Sequence, residues 1–426
     1  DHIVVPIFMA SEGAEGQEQS GDEQVNRASA LWTRPKADIS PTEYAEFYRN
    51  ITHDFDDPLL TIHNRMEGTL EYTLLLFVPT EAPFDLWQRE RHHGVKLYVR
   101  RVFILEDTQR LLPSYLRFVR GIIDSNDLPL NVSREILQQH RIIDQMRTSA
   151  VKKLLGALGD LAKNDATKYQ TFWDTFGRAF KEGLAEDPTN QDVLIPLLRF
   201  TSTIGDGPAE NVALDDYVAR MPTGQQHIYY LIAENFAAAN ESPLLEIFRQ
   251  RGVEVLLLTD PIDAIIESSL TNYAGKPFQS VARGNVDLAG IETPATTEDQ
   301  PEPQPAAGEE VLTRLKTALG DAVKAVRAST RLTTSPACLV NDERDLDPAF
   351  VRLLKANGQM VPSVRPILEI NLSHPVVRRI ADETDATRFD DWAQLLYDQS
   401  VLSRGDQLEH PARFVTRLNA LLAPSE

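Results

Sequence analysis

Apolar positions along this chain recur at two spacings. Residues 3–8 form an apolar run that predicts a strand. Residues 71–78 and 95–104 are rich in β-branched and aromatic side chains and predict two more strands. After Ser133 the spacing changes to threes and fours. Ile136, Ile143, Met146, Ala150, Leu154, Leu158 and Leu161 then make one helical stripe of about seven turns with a buried face. Residues 227–232 and 253–258 predict strands on either side of a helix at 242–249. Their nearly continuous apolar character predicts a parallel pair covered on both faces.

Two segments break these patterns. Residues 11–24, rich in Gly, Glu and Gln, predict a mobile acidic loop between strands. Residues 285–310 predict an acidic, Pro/Ala-rich linker between a domain at 1–284 and a domain at 311–426. The second domain is expected to start with a helix at 311–327. Short strands around 337–340 and 367–372 follow, then two amphipathic helices at 389–403 and 411–422. The first of these carries Phe389, Trp392, Leu395 and Leu396. The second carries Phe414, Val415, Leu418, Leu421 and Leu422. Such a pair packs either on its own domain or on a second copy, in a four-helix arrangement. The fold class expected is α/β and α+β: two α/β sub-units joined by a long helix, then a mixed α+β domain ending in a helix pair.

Composition narrows the function. With 43 basic and 63 acidic residues the formal charge is −20, which argues against a nucleic-acid partner. The single cysteine, Cys338, precludes an intrachain disulfide and suits a reducing compartment. Its apolar setting predicts a buried structural thiol. No apolar run approaches the roughly 18 residues of a membrane span, and no signal peptide opens the chain. A cytoplasmic location is expected. Because the chain opens without an initiator Met, directly into a strand, it is expected to be a piece of a protein longer on its N-terminal side.

The common catalytic signatures are missing. There is no Walker phosphate loop, dinucleotide fingerprint, His-Glu-x-x-His or nucleophile elbow. Gly205-Asp-Gly207 predicts only a turn. His92-His93 lack the partners of a metal site, so no metal is expected. One residue stands out. Arg134, in the stretch 128–139, puts a cation where a helix start prefers an anion. Such a site either reserves a positive end for phosphate or lets a surface arginine reach solvent.

Several motifs in order then carry a resemblance. They are Leu31-Trp-Thr-Arg34, Glu43-Tyr-Ala-Glu-Phe-Tyr48, His53-Asp-Phe-Asp-Asp-Pro58 and Ala82-Pro-Phe-Asp-Leu-Trp87. Lys96-Leu-Tyr-Val-Arg-Arg-Val-Phe-Ile104, Phe118-Val-Arg-Gly-Ile-Ile-Asp-Ser125, the stretch 128–139, Tyr169-Gln-Thr-Phe-Trp173 and Gly275-Lys-Pro-Phe-Gln279 follow. Together they resemble the middle and C-terminal domains of the ninety-kilodalton heat-shock chaperone family, bacterial branch. The likeness is strong over 27–283 and weaker but continuous over 311–424.

That resemblance implies a homodimeric, ATP-driven clamp that binds partly folded clients. ATP with magnesium would bind in an N-terminal domain outside these residues, so no hydrolysis is expected of them alone. The family's catalytic arginine falls on Arg134, reaching the ATP γ-phosphate. Gln138 and Asn131 belong to the same loop, and Arg100 matches an arginine that supports it. The alternative for Arg100 is a surface strand arginine. Trp32 matches a client-sensing tryptophan; flanked by Thr33, Arg34 and Pro35 and without periodic apolar neighbours, it is expected to be partly exposed, with a core position as the alternative. On the helix after Asp260, Ala264-Ile265 and Ser268 replace the family's Glu-Trp pair and asparagine, which leaves Ile265 and Ser268 as client-facing positions without an aromatic anchor. Leu346, Leu353 and Leu354 match an amphipathic client helix, or are ordinary core. Trp392, Leu395, Leu396, Phe414, Leu418 and Leu421 are the expected dimerisation residues. A cochaperone of the seventy-kilodalton heat-shock class is a further implied partner. No acidic cochaperone-recruiting pentapeptide closes the chain.

Overall fold

A computed structural model describes residues 6–9, 23–24, 29–68, 70–88, 94–106, 108–129, 141–205, 207–288, 290–291, 305–356, 358–361 and 364–423. They form two compact units, Asp1–Leu197 and Leu198–Glu426. The division falls at Leu197, not at the 285–310 stretch. The fold class is the mixed α/β and α+β expected.

In the first unit, β1 (Phe8–Met9) pairs antiparallel with β2 (Glu23–Gln24), so the expected loop at 11–24 ends in a strand. The central sheet contains β3 (Leu60–Met66), β4 (Tyr72–Val78), β5 (Val95–Val99), β6 (Val102–Glu106) and β7 (Arg120–Ser125). Its order is β3-β4-β7-β5-β6. Every residue of β4 is buried, which explains the unbroken run Tyr72-Thr-Leu-Leu-Leu-Phe-Val78. Gly121 on β7 has φ 139°, and a Cβ there would lie 2.2 Å from the Leu75 carbonyl oxygen. Only glycine lets β4 and β7 approach this closely.

The single strand expected at 95–104 is a hairpin. β5 and β6 pair antiparallel with Val99 opposite Val102, leaving Arg100-Arg101 as a two-residue turn. Both arginines have positive φ, 49° and 68°. Such turns usually carry Asn-Gly or Asp-Gly, and no such signal appears here.

One face of the sheet is covered by the Pro41–Thr52 helix. Ser40 and Glu43 form a reciprocal capping box at its start, and Tyr44, Phe47 and Tyr48 pack on Leu75 and Phe77. The long helix is Arg141–Asn164, followed by Ala166–Lys181, which Asp165 caps. Ile143, Met146, Ala150, Leu154 and Leu158 of the expected stripe are buried. Leu161 is half-buried, so the stripe closes one turn early, and Ile136 lies outside the described residues.

The second unit contains β8 (Arg199–Ser202), β9 (Val212–Ala213), β10 (Ile228–Ile232), β11 (Leu256–Leu258), β12 (Asn272–Tyr273) and β13 (Lys276–Ser280), in the order β12-β13-β10-β11-β8-β9. β10 and β11 are parallel, as their apolar character predicts. Three further strands, β14 (Ala325–Ala328), β15 (Ala337–Val340) and β16 (Ile367–Ile370), form a sheet in the order β14-β16-β15.

The helix expected at 311–327 is instead Pro305–Leu319. Gly320, with φ 51°, follows its end, and residues 325–328 become β14. The start of the expected linker is packed, and its residues 292–304 lie outside the described residues. Val286 and Leu288 are buried in one core with Tyr229 and Leu257 on one side and Cys338, Val340 and Ile367 on the other. Burial and the nearby Glu369 carboxylate push the Cys338 thiol well above its ordinary range, consistent with an inert thiol.

Hydrogen bonds clamp the same junction. The Asn341 N–H donates to the Ala282 carbonyl at 2.9 Å, and the Gly284 N–H donates to the Asn341 carbonyl at 3.0 Å. Arg331, 1% exposed, donates from Nε to Glu369 Oε2 at 2.9 Å and from Nη2 to the Gly284 carbonyl at 2.8 Å. Its Nη1 donates to the Val281 carbonyl.

Candidate functional site

The Arg100–Arg101 turn is the one place where a residue expected to serve nucleotide chemistry lies among the described residues. Asn131, Arg134 and Gln138 fall in 130–140, outside them, as do His92 and His93. Arg100 is exposed and sits in the turn rather than along a strand. Its backbone N–H donates to the Ser125 carbonyl at 3.0 Å, and its Nε donates to the Asn126 carbonyl at 3.1 Å. Left-handed φ costs a non-glycine residue roughly 1–2 kcal/mol, so the turn needs these anchors. A third is the Arg101 backbone N–H, which donates to Asp124 Oδ1 at 3.1 Å.

Asp124 is a buried carboxylate on β7. Its other oxygen, Oδ2, accepts the indole N–H of Trp32 at 2.7 Å. The expectation of a partly exposed Trp32 is therefore corrected: the residue is 1% exposed. Its ring packs against Tyr98 and Phe47 with centroids 5.1 and 5.8 Å away. A tryptophan can be this deep because Asp124 satisfies its only polar atom. The Trp32 carbonyl meets His63 Nε2 at 3.1 Å, and His63 Nδ1 meets the Tyr44 hydroxyl at 2.6 Å. Burial lowers the His63 pKa from its ordinary value. Asp124 was missed from sequence, although a lone acid within Gly121-Ile-Ile-Asp-Ser125 is an available signal.

In the second unit the client-facing candidates lie on or beside two neighbouring helices. Ile265 belongs to Asp263–Ile266 and is 40% exposed, and Ser268, just beyond, is also exposed. The short Asp263–Ile266 helix packs against Pro348–Ala356. That second helix carries Leu353 and Leu354, both half-buried, and no residue on it is fully buried. Leu346 is exposed but lies in the loop before the helix, not on it. Asp347 sets the helix start by accepting the Ala349 N–H at 2.9 Å, and burial pushes its carboxyl above the ordinary carboxylate range. Arg352 pairs with Asp406 in the turn after the Ala386–Ser403 helix. A cleft of about 1120 Å³ opens among these elements, lined by Ala264, Leu353, Tyr397 and Arg417 among others.

The terminal helices are Ala386–Ser403 and Pro411–Leu422. Trp392, Leu395, Leu396 and Leu421 are buried in this chain's own core, with Phe414 and Leu418 partly buried against it. Trp392, Leu395, Leu396 and Leu421 are thus committed within one chain, while Phe414 and Leu418 keep part of their surface open. Val415 and Leu422, at 52% and 72% exposed, are the apolar positions that the second helix leaves open.

Carboxylate oxygens of Glu210, Asp260 and Asp263 lie within 4.8 Å of one another, close enough to hold a cation. Asp263 Oδ2 also accepts the Asp260 N–H at 3.0 Å, a local helix-start role that accounts for its position. Among the described residues, no helix is long and apolar enough to cross a membrane.

A family model described as Hsp90 protein matches residues 12–425. The chain is 51% identical over 426 residues to the chaperone protein HtpG of Nitrosococcus oceani, covering 99% of this chain and 67% of that one. For the HtpG of Dechloromonas aromatica the identity is 51% over 427 residues, with 99% and 66% covered. For that of Chromobacterium violaceum it is 52% over 427 residues, with 99% and 68% covered. The chain spans about two thirds of the length of these curated relatives. Identity at this level over nearly the whole chain, together with the family match, establishes that this chain belongs to the Hsp90 family.

Proposed function

We propose that this chain is the client-handling, dimerising and ATP-coupling part of a bacterial chaperone that works as a homodimeric clamp. The observation that carries the reading is the family match across residues 12–425, with relatives named chaperone protein HtpG. ATP and its magnesium bind in the family's N-terminal domain, outside these residues. Arg134 reaches the γ-phosphate, where a planar, permanently charged guanidinium spreads the charge of phosphoryl transfer. Asn131 and Gln138 shape the same loop, and Arg100 supports it from the hairpin turn. The compartment is the cytoplasm, and a seventy-kilodalton heat-shock cochaperone is a partner.

Clients bind along the second unit, over Ile265, Ser268, Leu346, Leu353 and Leu354. Exposed and half-buried apolar side chains beside a cleft suit a partly folded chain that presents apolar segments. The test is suppression of aggregation of a heat-unfolded client protein by this chain. Ile265→Ser with Leu353→Ser should weaken suppression about tenfold while leaving the melting temperature within a few degrees. Unchanged suppression would count against this surface.

Dimerisation rests on the outer side of Pro411–Leu422, because the Ala386–Ser403 helix is already used in the chain's own core. Light scattering should give twice the 47.8 kDa chain mass. Val415→Asp with Leu422→Asp should return a monomer at micromolar concentration, since two charges buried in an interface cost several kcal/mol. A dimer that persists through both substitutions places the interface elsewhere.

A further inference from the structure

Asp124 lies on β7, at the centre of the first unit's sheet, and is 6% exposed. Among the described residues it makes no ion pair, and its two oxygens serve two unrelated segments. Oδ2 takes the indole N–H of Trp32 at 2.7 Å, and Oδ1 takes the backbone N–H of Arg101 at 3.1 Å. A carboxylate is costly to bury, and these N–H donors compensate for its desolvation.

The turn it holds is also unusual. Arg100 and Arg101 both adopt left-handed φ, which neither side chain favours. Among the described residues, two of the turn's three anchors go to the fixed backbone of Ser125 and Asn126. Only the third goes to a side chain, so it is the one that a displacement elsewhere can loosen. The other end of that side chain is bonded to Trp32.

We propose that Asp124 is a positioning residue that ties the indole of Trp32 to the Arg100–Arg101 turn, so that Trp32 sets the direction in which Arg100 points. The proposal rests on the reading of Arg100 as a support for the Arg134 loop. A shift of the indole moves the carboxylate, and the carboxylate fixes the peptide N–H next to Arg100. Asparagine at 124 offers one acceptor oxygen and an N–H₂ group, so it cannot accept both N–H groups as aspartate does.

Two measurements test the tie separately from the reading beneath it. The first is made on this chain alone. In ¹H–¹⁵N spectra, Asp124→Asn should shift the Trp32 indole and the Arg100 and Arg101 amides together. Trp32→Phe keeps an aromatic ring and leaves Asp124 intact, and it should shift the same two amides. If those amides stay in place in folded Trp32→Phe, the tie does not exist and the proposal is overturned.

The second is steady-state ATP hydrolysis with a family N-terminal domain joined in its natural place. Asp124→Asn and Trp32→Phe should each lower kcat about tenfold with KM for ATP unchanged, the effect of a misaimed group rather than lost binding. The double variant should be no worse than either single one, because both cut the same connection. Additive losses, or a fall in melting temperature with kcat intact, would make Asp124 a packing residue only and overturn the proposal. Should Arg100→Ala leave turnover unchanged while the amides still shift, the reading of Arg100 fails and the tie survives it.

Discussion

Arg331→Ala should cost the second unit about 3–5 kcal/mol, because it strands Glu369 in the interior without its main counter-ion. Arg331 and Glu369 are 1% and 2% exposed. Glu369 also accepts from Arg327 Nη2 at 2.8 Å and from Ser329 Oγ at 2.9 Å, but Arg327 is one third exposed and compensates poorly. The loss has a second source. Arg331 donates to the carbonyls of Val281 and Gly284, and an alanine leaves both without it. For that reason an apolar swap such as Arg331→Met with Glu369→Leu should not restore full stability, unlike many buried ion pairs.

Arg331 is therefore a staple between the 281–288 segment and the β14-β16-β15 sheet. Urea unfolding, with hydrogen exchange read across 281–288, measures it. A loss under 1 kcal/mol, with protection of 281–288 intact, would show that the junction is held by its apolar core instead.

Arg134→Ala should lower ATP hydrolysis by about a thousandfold or more in the protein joined to its family's nucleotide-binding domain, while dimerisation is unchanged. An arginine that neutralises charge on a transferring phosphoryl group typically contributes 10³–10⁵ in rate. Arg134→Lys should recover only part of this, because an ammonium lacks the planar fork that spans two phosphate oxygens. Dimerisation should survive because the exposed apolar positions proposed for it, Val415 and Leu422, belong to the other unit.

Much of this fold was legible in the chain, for physical reasons that differ by element. β4 and the β10–β11 pair are near-continuous apolar runs, and the structure buries them on both faces. The Arg141–Asn164 helix declares itself through a stripe of threes and fours. The 411–422 helix has Pro411 at its start and was expected at the bounds it adopts.

Where the reading failed, a local pattern was overridden by distant partners. The Arg100-Arg101 turn has no glycine or asparagine to announce it and is held by Ser125, Asn126 and Asp124, over 20 residues away in sequence. Trp32 runs straight into Thr33-Arg34-Pro35 with no periodic apolar pattern, yet Asp124, 92 residues on, accepts its N–H and lets it be buried. Val286 and Leu288 follow a turn and precede a Pro-rich stretch, but a core shared with Cys338 and Ile367 recruits them. Local spacing carries no information about any of these contacts.

Steady-state ATP hydrolysis by this chain joined to a family N-terminal domain, Arg134 against Arg134→Ala, tests the central claim most directly. Turnover that falls by about a thousandfold with the dimer intact is the predicted result and would make this chain the coupling half of a chaperone ATPase. Turnover indifferent to Arg134 would contradict it, leaving a client-binding dimer with no part in the chemistry.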